Sequence, residues 1–156
     1  MGATGAGKTT IGTMLATQLN WQLADADTFH STANIEKMSH GIPLNDADRA
    51  PWLAAMRKAI LEWIAAGKNV VLACSALKRA YREELRLSPE VKIIYLKGDY
   101  ALFAERIRHR HGHFAGEQIL AGQFADLEEP ADAITIDAAL PPQQIVAEIR
   151  KRLGLA

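Results

Sequence analysis

One cysteine, Cys74, is all the chain has in 156 residues, so no disulfide can form within it. That residue closes the apolar run Val70–Cys74, where a buried and unreactive thiol is expected. An excess of charge of either sign is also missing. Eighteen Lys and Arg residues offset eighteen Asp and Glu residues, which leaves no global field to draw in nucleic acid or an anionic membrane. Neither is expected as a partner. No apolar run approaches the ~20 residues of a membrane span, and no signal-peptide pattern opens the chain, so a cytoplasmic location is expected. Internal repeats and low-complexity tracts are absent too. The 49% of hydrophobic residues is enough for one core, and residues 1–156 read as a single domain.

What the chain does have lies at its start. Gly2 to Thr9 read Gly-Ala-Thr-Gly-Ala-Gly-Lys-Thr, which fits G-x-x-x-x-G-K-[ST], a loop that wraps backbone N–H groups around nucleotide phosphates. From typical residue frequencies, a chance match arises in roughly one chain in two hundred of this length. Glycines let the backbone close on phosphates, Lys8 adds a point charge at the β/γ positions, and the Thr9 hydroxyl can ligate Mg²⁺ with Thr10 as its neighbour. Ile11, Leu15 and Leu19, with Met14 beside them, recur at helical spacing from Lys8 onward, so a helix N-terminus points at the phosphates. Only Met1 precedes the loop. The strand that should feed it is therefore expected to be missing through N-terminal truncation, leaving a vacancy in the sheet between the strands at Val70 and Val91 and putting stability and activity in question.

Beyond the loop, strand and helix patterns alternate, as they do in a parallel sheet covered by helices. Strands are expected at Gln22–Ala24, Val70–Cys74, Val91–Leu96 and Ala133–Ile136. Helices are expected at Pro51–Ala66, Leu77–Leu87, Asp99–His109 with Asp99 as N-cap, and Pro142–Leu153.

In such sheets ligands gather at the carboxyl ends of strands. Asp25-Ala26-Asp27 follows the first strand, and two carboxylates at i and i+2 of an extended segment share a side. Asp25 would face the metal and Asp27 would take a proton from a substrate hydroxyl; the competing reading is a solvated polar turn. Ser75, after the next strand, either caps a helix or approaches Mg²⁺. Arg106, Arg108 and Arg110, with His109, His111, Gly112, His113 and Phe114, suit a mobile lid over about residues 106–124 that brings guanidinium groups to a phosphoryl group, or else a solvated helix face. His-x-His spacing without a third ligand set argues against a metal there.

The loop, Asp25–His30, Asn34–Met38, Gly41–Arg49, Pro51-Trp52-Leu53, Cys74–Lys78, Tyr81-Arg82, Tyr95–Gly98 and Arg110–Phe114, in this order, resemble gluconate kinase of the small P-loop type. The likeness runs from residue 2 to about residue 137. It implies an α/β fold like that of adenylate and shikimate kinases, with helices on both faces of a parallel sheet. ATP with Mg²⁺ as cofactors, phosphorylation of D-gluconate at its 6-hydroxyl, and a homodimer follow from the same likeness. By position it implies that Gly2, Ala3, Thr4, Gly5, Ala6, Gly7, Lys8, Thr9 and Thr10 hold phosphates, Thr9 and Asp25 the metal, and Arg106 and Arg110 the nucleotide. Lys8, Asp27 and Arg110 become the catalytic set, and Asp27, His30, Lys37, Asn45 and Arg49 the acceptor side, where Arg49 offers a guanidinium fork for a carboxylate. Asp48 reads as a cap of the next helix, and Trp52 as core rather than a sugar-stacking ring. Rival readings are a kinase for another sugar acid or a shikimate-like acceptor, and a nucleotide-binding remnant without activity.

Overall fold

The computed structural model describes residues 1–111 and 114–155, leaving aside the side chains at 111, 114 and 115. The expectations placed on His111, Gly112, His113 and Phe114 fall outside what is described.

Helix α1 (Lys8–Leu19) leaves the phosphate loop and ends at Asn20, whose left-handed backbone (φ 56°) lets its N–H bond the carbonyls of Ala16 and Thr17. Strand β1 (Gln22–Asp25), a 3₁₀ turn (Ala26–Phe29) and helix α2 (Thr32–Ser39) follow. Helix α2 has no counterpart among the expected elements. Its signal is Ser31, whose hydroxyl accepts the Asn34 N–H at 3.2 Å. Helix α3 (Asp46–Ala65) begins five residues ahead of the expected Pro51, because Asn45 and Asp48 form a capping box: Asn45 accepts the Asp48 N–H at 2.8 Å and Asp48 accepts the Asn45 N–H at 3.1 Å. Pro51 then costs only one early helical bond.

Strand β2 (Val70–Ala73) leads to helix α4 (Arg79–Leu85), and strand β3 (Ile94–Lys97) to helix α5 (Tyr100–His111). Strand β3 starts three residues later than expected, since the Val91 N–H is spent on a turn to Ser88 O at 3.1 Å. Asp99 does cap α5, accepting the Leu102 N–H at 2.9 Å, whereas Lys78 rather than Ser75 precedes α4. Helix α6 (Phe114–Asp126), most of which lies in the span expected of a lid, strand β4 (Ile134–Asp137) and helix α7 (Pro142–Arg152) complete the order.

The strands form two parallel pairs: Gln22 to Asp25 lie opposite Val70 to Ala73, and Ile94 to Lys97 opposite Ile134 to Asp137. Among the described residues no ladder joins β2 to β3. Met1 and Gly2 link the two pairs at the loop end. The Met1 ammonium donates to Ile94 O, Leu96 N–H donates to Met1 O at 3.0 Å, and Gly2 N–H donates to Ser75 O at 3.2 Å. The core divides likewise. Ile11, Leu15, Phe103, Leu120, Ile145 and Val146 pack around β3 and β4, while Trp52, Leu53, Met56, Ile60 and Leu85 gather beside β2. Both bodies hold the loop between them. No described helix is long and apolar enough to cross a membrane.

Candidate active site

Two glycines give the loop its shape. Gly7 stands at the N-cap of α1 with φ 96°, and Gly5 has φ 85° with Phe103 O only 3.0 Å from where a Cβ would sit. The backbone thus turns tightly at the positive end of α1, with the N–H groups of Gly2, Thr4 and Ala6 bonded to Ser75 O, Gln123 Oε1 and Ala3 O. Lys8 folds over this cradle, its Nζ donating to Ala3 O at 2.9 Å. Burial of the ammonium, opposed by the carboxylates of Asp27 and Asp25 and assisted by Arg110, lowers its pKa from 10.5 to about 8. Cys74 is buried, and its thiol is pushed up to about 11, which removes it as a nucleophile.

The 3₁₀ turn after β1 brings the two aspartates together. Asp25 accepts the Asp27 N–H at 2.9 Å, which orients the turn and leaves the second carboxylate oxygen of Asp25 outside that bond. Asp27 is exposed by area, yet the protein crowding its carboxyl, and next the Asp25 charge, raise its pKa, as suits a proton acceptor. Three residues on, His30 lies flat against Trp52, with centroids 4.5 Å apart and planes 8° from parallel. Trp52 is 4% exposed and donates its indole N–H to Ala26 O at 2.8 Å, so it is core, as expected, and it fixes the turn that carries Asp27. Burial lowers the pKa of His30, against the pull of Asp27.

On the acceptor side, the structure gives the expected residues partners within the protein. Arg49, its side chain 12% exposed, donates to Tyr81 Oη at 3.0 Å and to Asp126 Oδ2 at 3.1 Å. Tyr81 in turn donates to Asp46, and Lys78 reaches the same Asp46 oxygen at 3.0 Å. Lys37 pairs with Asp48 at 3.0 and 3.1 Å, and the Asn45 amide oxygen is used in the capping box. Two of the five guanidinium donors of Arg49 are thus taken by this network.

Across the loop, Arg106 is spent on main-chain carbonyls. Its guanidinium bonds Ala138 O at 2.6 Å, Gly5 O at 3.2 Å and Ala6 O at 3.5 Å, bracing the loop from behind. Arg110 shares a cleft of about 510 Å³ with Leu102, Glu105, Arg106 and His109. Arg108 is paired with Glu117 at 2.6 Å. Sequence reasoning missed two participants, Gln123, whose Oε1 accepts the Thr4 N–H of the loop at 2.6 Å, and the Arg49 partner Asp126, and it gave Tyr81, the other Arg49 partner, no role. No short-range pattern marks a pair separated by 119 residues.

The described residues contain no group of three or more His, Cys, Asp or Glu side chains placed to hold a metal ion. Mg²⁺ bound with a nucleotide needs fewer, because phosphates and waters fill most of its octahedron. The exposed Thr9 hydroxyl and the Asp25 carboxylate are hard oxygen donors on the cradle side and fit that demand.

The shikimate kinase family profile matches residues 4–154 of the chain. Gluconokinase of Gluconobacter oxydans (strain 621H) is 42% identical over 153 residues, which cover 96% of this chain and 86% of that one. The thermoresistant gluconokinase of Escherichia coli (strain K12) is 41% identical over 152 residues, covering 94% and 87%. Among solved structures, an unliganded sugar kinase from Janibacter sp. HTCC2649 aligns with a TM-score of 0.91 at 39% identity, over 100% of this chain and 92% of the other. A gluconokinase from Sinorhizobium meliloti 1021 aligns with a TM-score of 0.84 at 37% identity, over 99% and 93%.

Proposed function

The chain belongs to the shikimate kinase family and, within it, to the gluconokinases, and from that premise we propose that it transfers the γ-phosphoryl group of ATP to the 6-hydroxyl of D-gluconate. The products are 6-phosphogluconate and ADP. The observation that carries this reading is the phosphate loop at the N-terminus of α1, with Lys8 folded over it, in a chain 41–42% identical to gluconokinases over most of its length. Asp27, on the turn that Trp52 holds, supplies the base, and Arg49 the cation suited to a carboxylate.

In this scheme the backbone of Gly2, Ala3, Thr4, Gly5, Ala6 and Gly7, with Thr10 nearby, cradles the phosphates, and Lys8 swings from Ala3 O to the β/γ oxygens. Asp27 accepts the proton of the 6-hydroxyl as its oxygen bonds the γ-phosphorus, and the bond from that phosphorus to the bridging oxygen breaks, its electron pair leaving with ADP. Arg110, on the cleft wall, meets charge spread over the γ-oxygens, while Arg106 holds the loop rigid behind it. Mg²⁺, when bound, supplies charge neutralisation on the nucleotide, and Thr9 and Asp25 would hold it. Arg49 takes the gluconate carboxylate with its remaining donors, and His30, Lys37 and Asn45 edge the polyol pocket. A homodimer is part of the same reading, checked by sedimentation velocity.

The deciding experiment is ADP release coupled to an indicator reaction, with D-gluconate, other sugar acids, glucose and shikimate offered in turn. Gluconate alone should support turnover, with phosphate found on carbon 6. Comparable turnover on shikimate and none on gluconate would assign a different acceptor.

A further inference from the structure

Helix α6 touches both ends of the proposed site. Gln123 and Asp126 are three residues apart, hence neighbours on one face of the helix. Gln123 accepts the Thr4 N–H of the phosphate loop at 2.6 Å, and Asp126 accepts from the Arg49 guanidinium at 3.1 Å. The helix that carries them is anchored. Leu120 is fully buried, Phe124 packs against Tyr100 and Phe103 of α5, and just past the helix the Glu128 N–H donates to Leu77 O at 2.9 Å while Arg82 donates to Glu128 O at 2.7 Å. A short side chain on a seated helix fixes its partner more narrowly than a loop residue would.

We infer that Gln123 and Asp126 are positioning residues that tie the phosphate loop to the acceptor-side arginine, so that filling either site is felt at the other. The inference rests on the function proposed above for its acceptor, and on this geometry for its coupling. Gln123 takes one N–H of the loop out of free rotation, setting the plane of the Thr4 peptide before any phosphate arrives. Asp126 holds one arm of Arg49, leaving the fork with a preferred direction. Because α6 is seated, a ligand that draws on Arg49 shifts Asp126 and the helix as one body, and Gln123 carries that shift to the loop. By linkage the effect must be reciprocal and equal in both directions.

The test is calorimetric binding of a β,γ-imido ATP analogue with Mg²⁺ and of D-gluconate, each alone and each with the other saturating. It is run on the wild-type chain, Gln123→Met, Asp126→Asn and Asp126→Glu. In the wild type each ligand should tighten the other by about tenfold. Gln123→Met keeps shape and loses the acceptor, so affinity for the analogue alone should fall about fivefold with gluconate alone unmoved. Asp126→Asn should weaken gluconate and leave the analogue alone unmoved, and Asp126→Glu should restore gluconate affinity. Both Gln123→Met and Asp126→Asn should bring the mutual tightening close to one. Undiminished tightening in both variants overturns the link, and so does a parallel fall of both affinities with a falling melting temperature, the mark of a merely structural role. If the wild type binds no gluconate, the proposed function fails, and with it the coupling between sites. The analogue arm still judges Gln123, and unchanged analogue affinity in Gln123→Met removes its positioning role.

Discussion

Lys8 sits where its proton should be counted during nucleotide binding. In the free protein burial brings its pKa from 10.5 to about 8, so close to half of the molecules carry a neutral amine at pH 8. Phosphates laid against the amine favour the ammonium and return its pKa to the ordinary lysine range. The bound state then holds more protons than the free state between those values, so affinity is full below the free pKa and is lost as pH rises above it. Uptake should be about half a proton per nucleotide at pH 8 and about 0.9 at pH 9, with affinity falling by up to about tenfold per pH unit beyond pH 8. Calorimetry of the ATP analogue in two buffers of different ionisation enthalpy gives the proton number directly, and this pH range lies above the phosphate's own second titration near 6. Lys8→Arg, charged at every accessible pH, should abolish the uptake. The reasoning is refuted by a proton number near zero at pH 8.5, or by the same uptake in Lys8→Arg.

Asp27→Asn should lower kcat by about 10²–10⁴-fold while the affinity for the ATP analogue stays within about twofold, whereas Lys8→Ala should weaken both; an Asp27→Asn variant that turns over near the wild-type rate takes the base role from this residue. Since the carboxylate must be ionised to act and its pKa is raised, kcat should decline on acidification earlier than an ordinary aspartate would cause. Arg49→Lys should raise the gluconate KM by about 10- to 100-fold with ATP kinetics hardly changed; an unmoved KM sends the carboxylate to Lys37 or Lys78. Finally, adding about six apolar, β-branched residues ahead of Met1, roughly one strand, should pair β2 with β3 and raise the melting temperature. No rise would contradict the reading of the space between the two sheets.

Local signals are legible in the sequence and distant ones are not. The loop, α1 and β1 follow from glycines, apolar spacing and a polar turn within about thirty residues, and the Asp25–Asp27 pair comes with them. The start of α3 is hidden because Pro51 reads as a helix start although it lies in the second turn, while the capping box at Asn45 and Asp48 is subtler. Helix α6 shows little apolar regularity, and its hydrophobic anchors are Leu120 and Phe124. The arginines are the least readable. Composition shows that Arg49 and Arg106 are cations, but only the fold shows that Arg106 spends its donors on backbone carbonyls and that Asp126 and Tyr81 claim part of Arg49. Each of those pairings spans at least 32 residues of chain.

The parallel stack of His30 on Trp52 makes this protein its own indicator. An indole emits strongly in a dry, rigid setting, and the ring stacked on it quenches more as an imidazolium than as the neutral imidazole that burial of His30 favours. Trp52 is 4% exposed and tethered through its N–H, so its emission depends mainly on the ring lying against it. Only Trp21 and Trp63 contribute other signals, and both can be changed to phenylalanine. What remains is a single chromophore stacked on His30 and bonded to Ala26, beside the turn that carries Asp27, so its emission reports on that turn in a stopped-flow mixer without any dye.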